Sequence, residues 1–262
     1  MSVRFLAVGD LMVDVVARGE GHSARIAVAP GGSAFNSAVA ATGLGAGAAV
    51  VGRVGDDAAG RMLLAELAAH GVRTRVGVDP AEPTGTVLVV DGEIRADRGA
   101  NAAFAPEHLP ALEADAVLVS GNLPPETALT ALADARAAWV ALDAARLDAL
   151  PAAIPIVLAN EDAARRLTGG LDPEEAALRL AAGRRLACVT LGRRGAVAAS
   201  EGRVERGAAL DAPPGDPPGA GDAFAAALVV ELARGAVLSE ALAAACNAGA
   251  AAAGRATARA GR

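Results

Sequence analysis

The stretch Asp216-Pro217-Pro218-Gly219-Ala220-Gly221-Asp222-Ala223-Phe224 decides how the rest of the chain is read. Its two prolines rule out a helix start before Gly219. From Ala220 to about Ala233 the residues are apolar and Ala-rich, which predicts a helix. A stiff turn thus delivers Gly-Ala-Gly-Asp onto a helix N-terminus. The first amides there lack intrahelical partners, and the macrodipole favours an anion. Small residues let a ligand approach the backbone closely. Asp222 falls in the first turn, beside that anion. Such a cradle suits phosphoryl transfer to a hydroxyl: the amides hold the moving charge and the carboxylate takes the proton. The same residues also read as a Pro-Gly turn with an acidic cap, since short glycine motifs often mislead.

Composition narrows the choice. The chain has 262 residues, enough for one α/β domain with an appendage. With 53% hydrophobic residues but only 2% aromatics, the core must be Ala, Val and Leu. There is no Lys at all, so a Walker A loop cannot exist. The net charge of −6, with no basic tract or aromatic platform, speaks against nucleic acid as a partner. Cys188 and Cys246 fall in different predicted elements and no leader segment is evident, which points to a reduced cytoplasmic protein. No apolar run suits a membrane span. His22, His70 and His108 are scattered, so a histidine metal site or triad is not expected.

Working outward along the chain, Val3–Val8 predicts a buried first strand. Gly9-Asp10-Leu11-Met12-Val13-Asp14 follows it where a dinucleotide fingerprint would stand, which disfavours NAD. Asp14 sits in an otherwise apolar strand; a ligand role is favoured there over a solvent-facing position, because a buried carboxylate without partners is costly. Val13–Ala17 and Arg25–Val28 predict a hairpin. Ser33 reads as the N-cap of the next helix, with Asn36 one turn in, either a sugar-contacting amide or an ordinary surface Asn. Then come strand Ala48–Val54, a helix from about Ala58 to His70 and strand Val72–Val78. Thr86–Val90 and Glu93–Asp97 flank Asp91-Gly92, a strong hairpin signal. The two hairpins, about 12–28 and 84–98, are assigned to a lid that would exclude water.

From Asp115 onward strands alternate with helices: strands Ala116–Ser120, Trp139–Asp143, Ile156–Leu158 and Leu186–Thr190, helices Pro125–Ala137, Glu161–Leu167 and Pro173–Ala182. A hairpin of Ala196–Ser200 with Arg203–Arg206 follows, and a last helix runs from about Ser239 to Ala253 with Gly254–Arg262 frayed. This rhythm predicts an α/β domain over 1–262: a doubly wound, mainly parallel sheet with helices on both faces. Ligands collect at the carboxyl ends of such strands, where Asn122, Asp143, Asn160 and Thr190 fall.

These pieces, in this order, resemble the ribokinase-like (PfkB) carbohydrate kinases. The amino-terminal signature is similar to Gly31-Gly32-Ser33-Ala34-Phe35-Asn36-Ser37-Ala38 with Gly52-Arg53-Val54-Gly55-Asp56-Asp57-Ala58-Ala59-Gly60, and the carboxy-terminal one to the opening stretch. Between them, Gly99–Ala103, Asn160-Glu161-Asp162 and Thr190–Gly195 match in order. The resemblance implies ATP-dependent phosphorylation of a sugar-like hydroxyl, with Mg²⁺. Asp222 becomes the catalytic base, and the Gly219, Ala220, Gly221 and Asp222 turn the anion hole. Asp14, Gly31, Gly32, Asn36, Asn101 and Asn122 become acceptor-site residues. Asn160, Thr190, Gly192, Gly195 and Asn247 would serve the nucleotide.

The departures matter. The family's Asn-x-x-Glu reads Asn160-Glu161-Asp162-Ala163, so Glu161 or Asp162 must act through water for the metal, or metal handling is weaker. Asp216 is the candidate for a monovalent cation, but the short tail weakens the expectation of K⁺ activation. Arg98 either meets a carboxylate or phosphate on the acceptor, as in ketodeoxygluconate kinases, or is a surface Arg. Few aromatics favour a plain sugar over a nucleoside. A catalytically weak sensor on the same fold is the alternative that Ala163 sustains. The lid's Val87, Val89 and Ile94 suggest pairing with a second copy.

Overall fold

The computed structural model describes residues 2–19, 21–90, 93–144, 146–151, 153–208 and 219–260, with side chains through 254. Asp91-Gly92, Asp216, Pro217 and Pro218, all singled out above, lie outside the described residues.

Nine strands form the main sheet: β1 (Arg4–Val8), β4 (Gly47–Gly55), β5 (Arg73–Asp79), β8 (Ala116–Ser120), β9 (Trp139–Asp143), β10 (Ile156–Asn160), β11 (Leu186–Thr190), β12 (Ala196–Ser200) and β13 (Arg203–Gly207). Their order is β13-β12-β11-β10-β9-β8-β1-β4-β5, parallel from β11 to β5, with β12 and β13 added as an antiparallel hairpin. The expected mainly parallel sheet is therefore present. Parallel strands are covered on both faces, and their sequences are near-continuous apolar runs for that reason.

Alternation along β1 sets up the layers. Phe5 and Ala7 join a core with α1 (Ser33–Gly43), α6 (Ala220–Ala233) and α7 (Leu238–Ala260). Leu6 and Val8 point the other way, toward α3 (Pro125–Asp134) and Phe104. A third cluster packs α4 (Glu161–Thr168) and α5 (Pro173–Ala181) on β10, β11 and β12. α6 is apolar all round, as a helix enclosed by neighbours should be. The last helix continues to Ala260 rather than fraying at Gly254: alanine, the strongest helix former, dominates it and carries it through Gly249 and Gly254.

The two predicted hairpins leave the main sheet. β2 (Met12–Arg18) pairs with β3 (Arg25–Gly31), and β6 (Gly85–Val90) with β7 (Glu93–Asp97). They join through a parallel β2–β6 pairing, which the sequence did not disclose, into a four-stranded sheet β3-β2-β6-β7. Asp57, the cap of α2 (Ala58–Ala69), roots this second sheet. Its carboxylate accepts from Gly60 N, Thr84 N and Thr84 Oγ1, each at 2.7 Å. Burial works against the ionised form, but these donors hold the carboxyl below its ordinary value. Much of the signature Gly52–Gly60 thus acts as a structural joint.

Candidate active site

Register places four polar strand ends along one rim. Ser120 lies opposite Asp143 across β8 and β9, and Asn160 opposite Thr190 across β10 and β11. With the N-terminus of α6 they line a cavity of about 410 Å³ that also receives Asn122, Arg146, Gly219, Gly221 and Asp222.

α6 begins as the opening stretch predicts. Gly219 is the N-cap in the left-handed region (φ 85°) and has no side chain to cap with. The first-turn amides of Ala220, Gly221 and Asp222 are therefore left for an anion. A Cβ on Gly219 would come within 3.3 Å of the Asn36 amide, so α1 presses directly on this turn. Asn36 Nδ2 donates to Asp222 Oδ2 at 2.8 Å, and Ser37 Oγ donates to Asp222 O at 3.3 Å. Asn36, read from sequence as a sugar contact, is thereby placed against the carboxylate.

Asp222 is pushed up to about 7, first by burial and next by the nearby Asp143 charge; the Asn36 hydrogen bond opposes this, and Asp14 and Asp10 add to it. Because that hydrogen bond favours the ionised form, Asn36→Ala is expected to move the Asp222 titration further alkaline. A pH–rate profile whose acid limb stays put or moves to lower pH would contradict the assignment.

The residues expected to receive the acceptor lie toward the second sheet. Gly32, not Ser33, caps α1, at φ 93°, and a Cβ there would sit 2.4 Å from Asp10 O. Ser33 Oγ instead donates to Ser120 Oγ at 2.8 Å. A Cβ on Gly31 would meet Asp14 Oδ2 at 2.4 Å, so the Asp14 carboxylate lies over bare backbone. Burial raises the Asp14 carboxyl. Asn101 is fully buried and faces backbone: its Oδ1 accepts from Leu11 N at 3.0 Å, and its Nδ2 donates to Leu11 O at 2.9 Å and Arg98 O at 3.1 Å. It braces the site instead of lining it. Arg98 is no free surface residue either. Its Nη2 donates to Asp10 Oδ1 at 3.3 Å and to Asn122 O.

Of the residues expected to serve the nucleotide, Asn160 and Thr190 line the cavity, and Asn160 Oδ1 caps α4 by accepting from Ala163 N at 2.8 Å. Gly192 and Gly195, both at positive φ, form the turn after β11. Asn247 is exposed on α7 and is not among the residues lining the cavity. Glu161 pairs with Arg165 at 3.0 Å and with Arg194; Asp162 is exposed; Ala163, on the inner face of α4, is fully buried. Among the described residues no three His, Cys, Asp or Glu side chains group to hold a metal. Glu161 spent on arginines and an alanine at 163 do not fit a protein-built metal cage.

Sequence reasoning assigned no role to Asp10, Ser120 or Arg146, whereas Asp143 stood among the ligand-collecting strand ends. Asp10 and Ser120 end an apolar strand or closely follow one, the same signal that singled out Asp143, Asn160 and Thr190.

This architecture is that of the ribokinase-like kinases. Ribokinase from Thermotoga maritima matches with a TM-score of 0.84 at 25% identity, over 95% of this chain and 92% of that one. Ribokinase from Arabidopsis thaliana, solved with ribose and ATP, matches at 0.80 and 26% identity, over 95% and 92%. The family model described as pfkB family carbohydrate kinase covers residues 4–261, and the chain belongs to that family. Klebsiella pneumoniae fructokinase is 32% identical over 89% of this chain and 85% of its own length. A Bacillus subtilis ribokinase is 42% identical over a stretch covering 37% of each chain. In class the chain is an ATP-dependent sugar or nucleoside kinase.

Proposed function

We propose that this chain transfers the γ-phosphoryl group of ATP to a hydroxyl of a small sugar held beneath the second sheet, with Asp222 as general base. The observation that carries the reading is a carboxylate poised near neutrality in the first turn of a glycine-capped helix, at the wall of a 410 Å³ cavity. Asp222 accepts the hydroxyl proton as that oxygen attacks. The amides of Ala220, Gly221 and Asp222 stabilise charge on the moving phosphoryl group. Asp14, Gly31, Gly32 and Asn122 receive the sugar, while Asn36 holds the base in position. Thr190, Gly192, Gly195 and Asn160 lie along the nucleotide phosphates, with Asn247 toward its base. Mg²⁺ travels with ATP on the phosphate oxygens and spreads their charge; no protein cage for Mg²⁺ or K⁺ enters the reading.

A coupled ADP-release assay over neutral sugars, sugar acids and nucleosides tests this. Turnover with at least one sugar is expected; ligand binding with no ADP release on any acceptor would favour a sensor, the second reading, which Ala163 keeps in play.

The second sheet acts as the lid. One face of it exposes Ile26, Val28, Leu88 and Val90, and by register the other carries Ile94, 69% exposed, beside half-buried Val87 and Val89. Such a face fits pairing with a second copy. Sedimentation velocity is expected to show a dimer that Ile94→Arg converts to monomer; a wild-type monomer at micromolar concentration would refute it. Two free, buried cysteines suit a reducing cytoplasmic setting.

A further inference from the structure

We infer, resting on the kinase reading above, that the acceptor of this enzyme is an uncharged polyol, and that Asp10 enforces this by holding the Arg98 guanidinium out of reach of anionic substrates. Arg98 stands at the root of the second sheet, just after β7, where a cation facing the sugar would ordinarily mark a carboxylate or phosphate receptor. Here the same Nη2 is already committed to Asp10 Oδ1 at 3.3 Å and to the backbone oxygen of Asn122.

Asp10 cannot readily release it. The carboxylate side chain is 5% exposed, against 38% for Arg98. Its backbone is pinned: Ala34 N donates to Asp10 O at 3.2 Å, and Gly32 packs on that oxygen so closely that no Cβ fits. The next residue, Leu11, is held on both backbone groups by Asn101. An anionic acceptor would meet a guanidinium whose charge is already balanced by a buried carboxylate, and drawing Arg98 away would leave that carboxylate unpaired, a strongly unfavourable exchange.

The remaining charges point the same way. Asp222 feels the charges of Asp143, Asp14 and Asp10, and the guanidiniums that act on Asp10 are Arg98 and Arg146. Carboxylates thus outnumber guanidiniums at the site before ATP adds its own phosphates. A second anion would meet repulsion, whereas hydroxyls can donate to Asp14 and the Asn122 amide can both donate and accept.

The test compares matched pairs, an aldose with its aldonate and a ketose with its phosphate ester, in wild type, Asp10→Asn, Arg98→Gln and the double variant. Wild type is expected to prefer the neutral member by at least about 10²-fold in kcat/KM, and Asp10→Asn to shrink that preference at least about tenfold, because Arg98 is set free. The double variant should regain the preference. Arg98→Gln alone should leave the ratio within about threefold, and this arm decides the matter if Asp10→Asn fails to fold. Wild-type preference for the acid or ester, an unchanged ratio in folded Asp10→Asn, or selective loss of the acid in Arg98→Gln would each overturn the inference. Calorimetric binding of the same pairs separates this from the kinase reading. No ADP release with neutral sugars bound more tightly would sink the kinase reading and keep the charge rule; anions bound equally well, or no binding of either member, would sink the rule.

Discussion

Asp222→Asn is expected to lower kcat by about 10²–10⁴-fold while acceptor and nucleotide binding change by only a few fold, measured by steady-state kinetics and calorimetry. The amide is isosteric, can still meet Asn36 and leaves the first-turn amides in place. What disappears is a base whose titration sits near 7. In wild type, kcat/KM should rise with pH as this carboxyl ionises and level off above about 7; the variant should lack that limb. Stability carries the opposite sign. A folded-state value near 7 against an ordinary 3.8 means that the folded protein holds this proton more tightly than the unfolded chain. The contribution to stability is complete below the ordinary value and is lost as pH rises through about 7. At pH 8 the Asn variant should therefore be more stable than wild type, by up to about 4 kcal/mol in urea denaturation. Near-normal turnover would remove Asp222 from its role, and equal stability at pH 8 would show that its ionised form is not disfavoured.

Gly32→Ala should be the most damaging single-methyl change in the site. Two effects combine. A φ of 93° is strained for any L side chain, and the added carbon would lie 2.4 Å from Asp10 O. Neither neighbour can give way, since Asp10 and Leu11 are tied to α1 and Asn101. A loss of about 3 kcal/mol or more in unfolding free energy is expected, with a rise in KM for the acceptor as Asp10 and the start of α1 separate. Gly45→Ala provides the control: its φ is 79°, but the nearest atom to a Cβ is the end of Arg234 at 3.9 Å, so backbone strain acts alone and about 1 kcal/mol should be lost. Equal losses at both positions would remove the crowding argument.

Much of the architecture was legible because parallel strands and amphipathic or Ala-rich helices leave local patterns. Val3–Val8, Ala116–Ser120 and Leu186–Thr190 could be read as buried strands because both faces are covered. The α6 turn was legible because prolines, glycines and an acidic residue each do local work there. The parallel β2–β6 pairing was not, because it depends on contacts between residues about seventy positions apart and leaves no mark on either hairpin. The same limit hid Asn36. A polar residue one turn into a helix reads identically whether it faces sugar, water or another carboxylate; only the packing of α1 on α6 settles that it meets Asp222. Arg98 was ambiguous for a related reason, since its partner Asp10 is eighty-eight residues away. Asn101, read from sequence as a substrate contact, is bonded to Leu11 and to Arg98 O, and a buried amide of that kind looks, in sequence, like any polar residue in a turn.

The enclosure of α6 has a consequence for how the enzyme fails. Its first turn carries Asp222, the proposed base, and the next turns bury Leu228, Val229 and Val230 completely between α1, α7 and the sheet. Partial openings start where few apolar contacts must be broken, at rims and outer strands. The second sheet can therefore loosen, admit water and blunt selectivity while the chemical centre stays assembled. Heat or denaturant should make this protein a leaky kinase before it makes it a dead one.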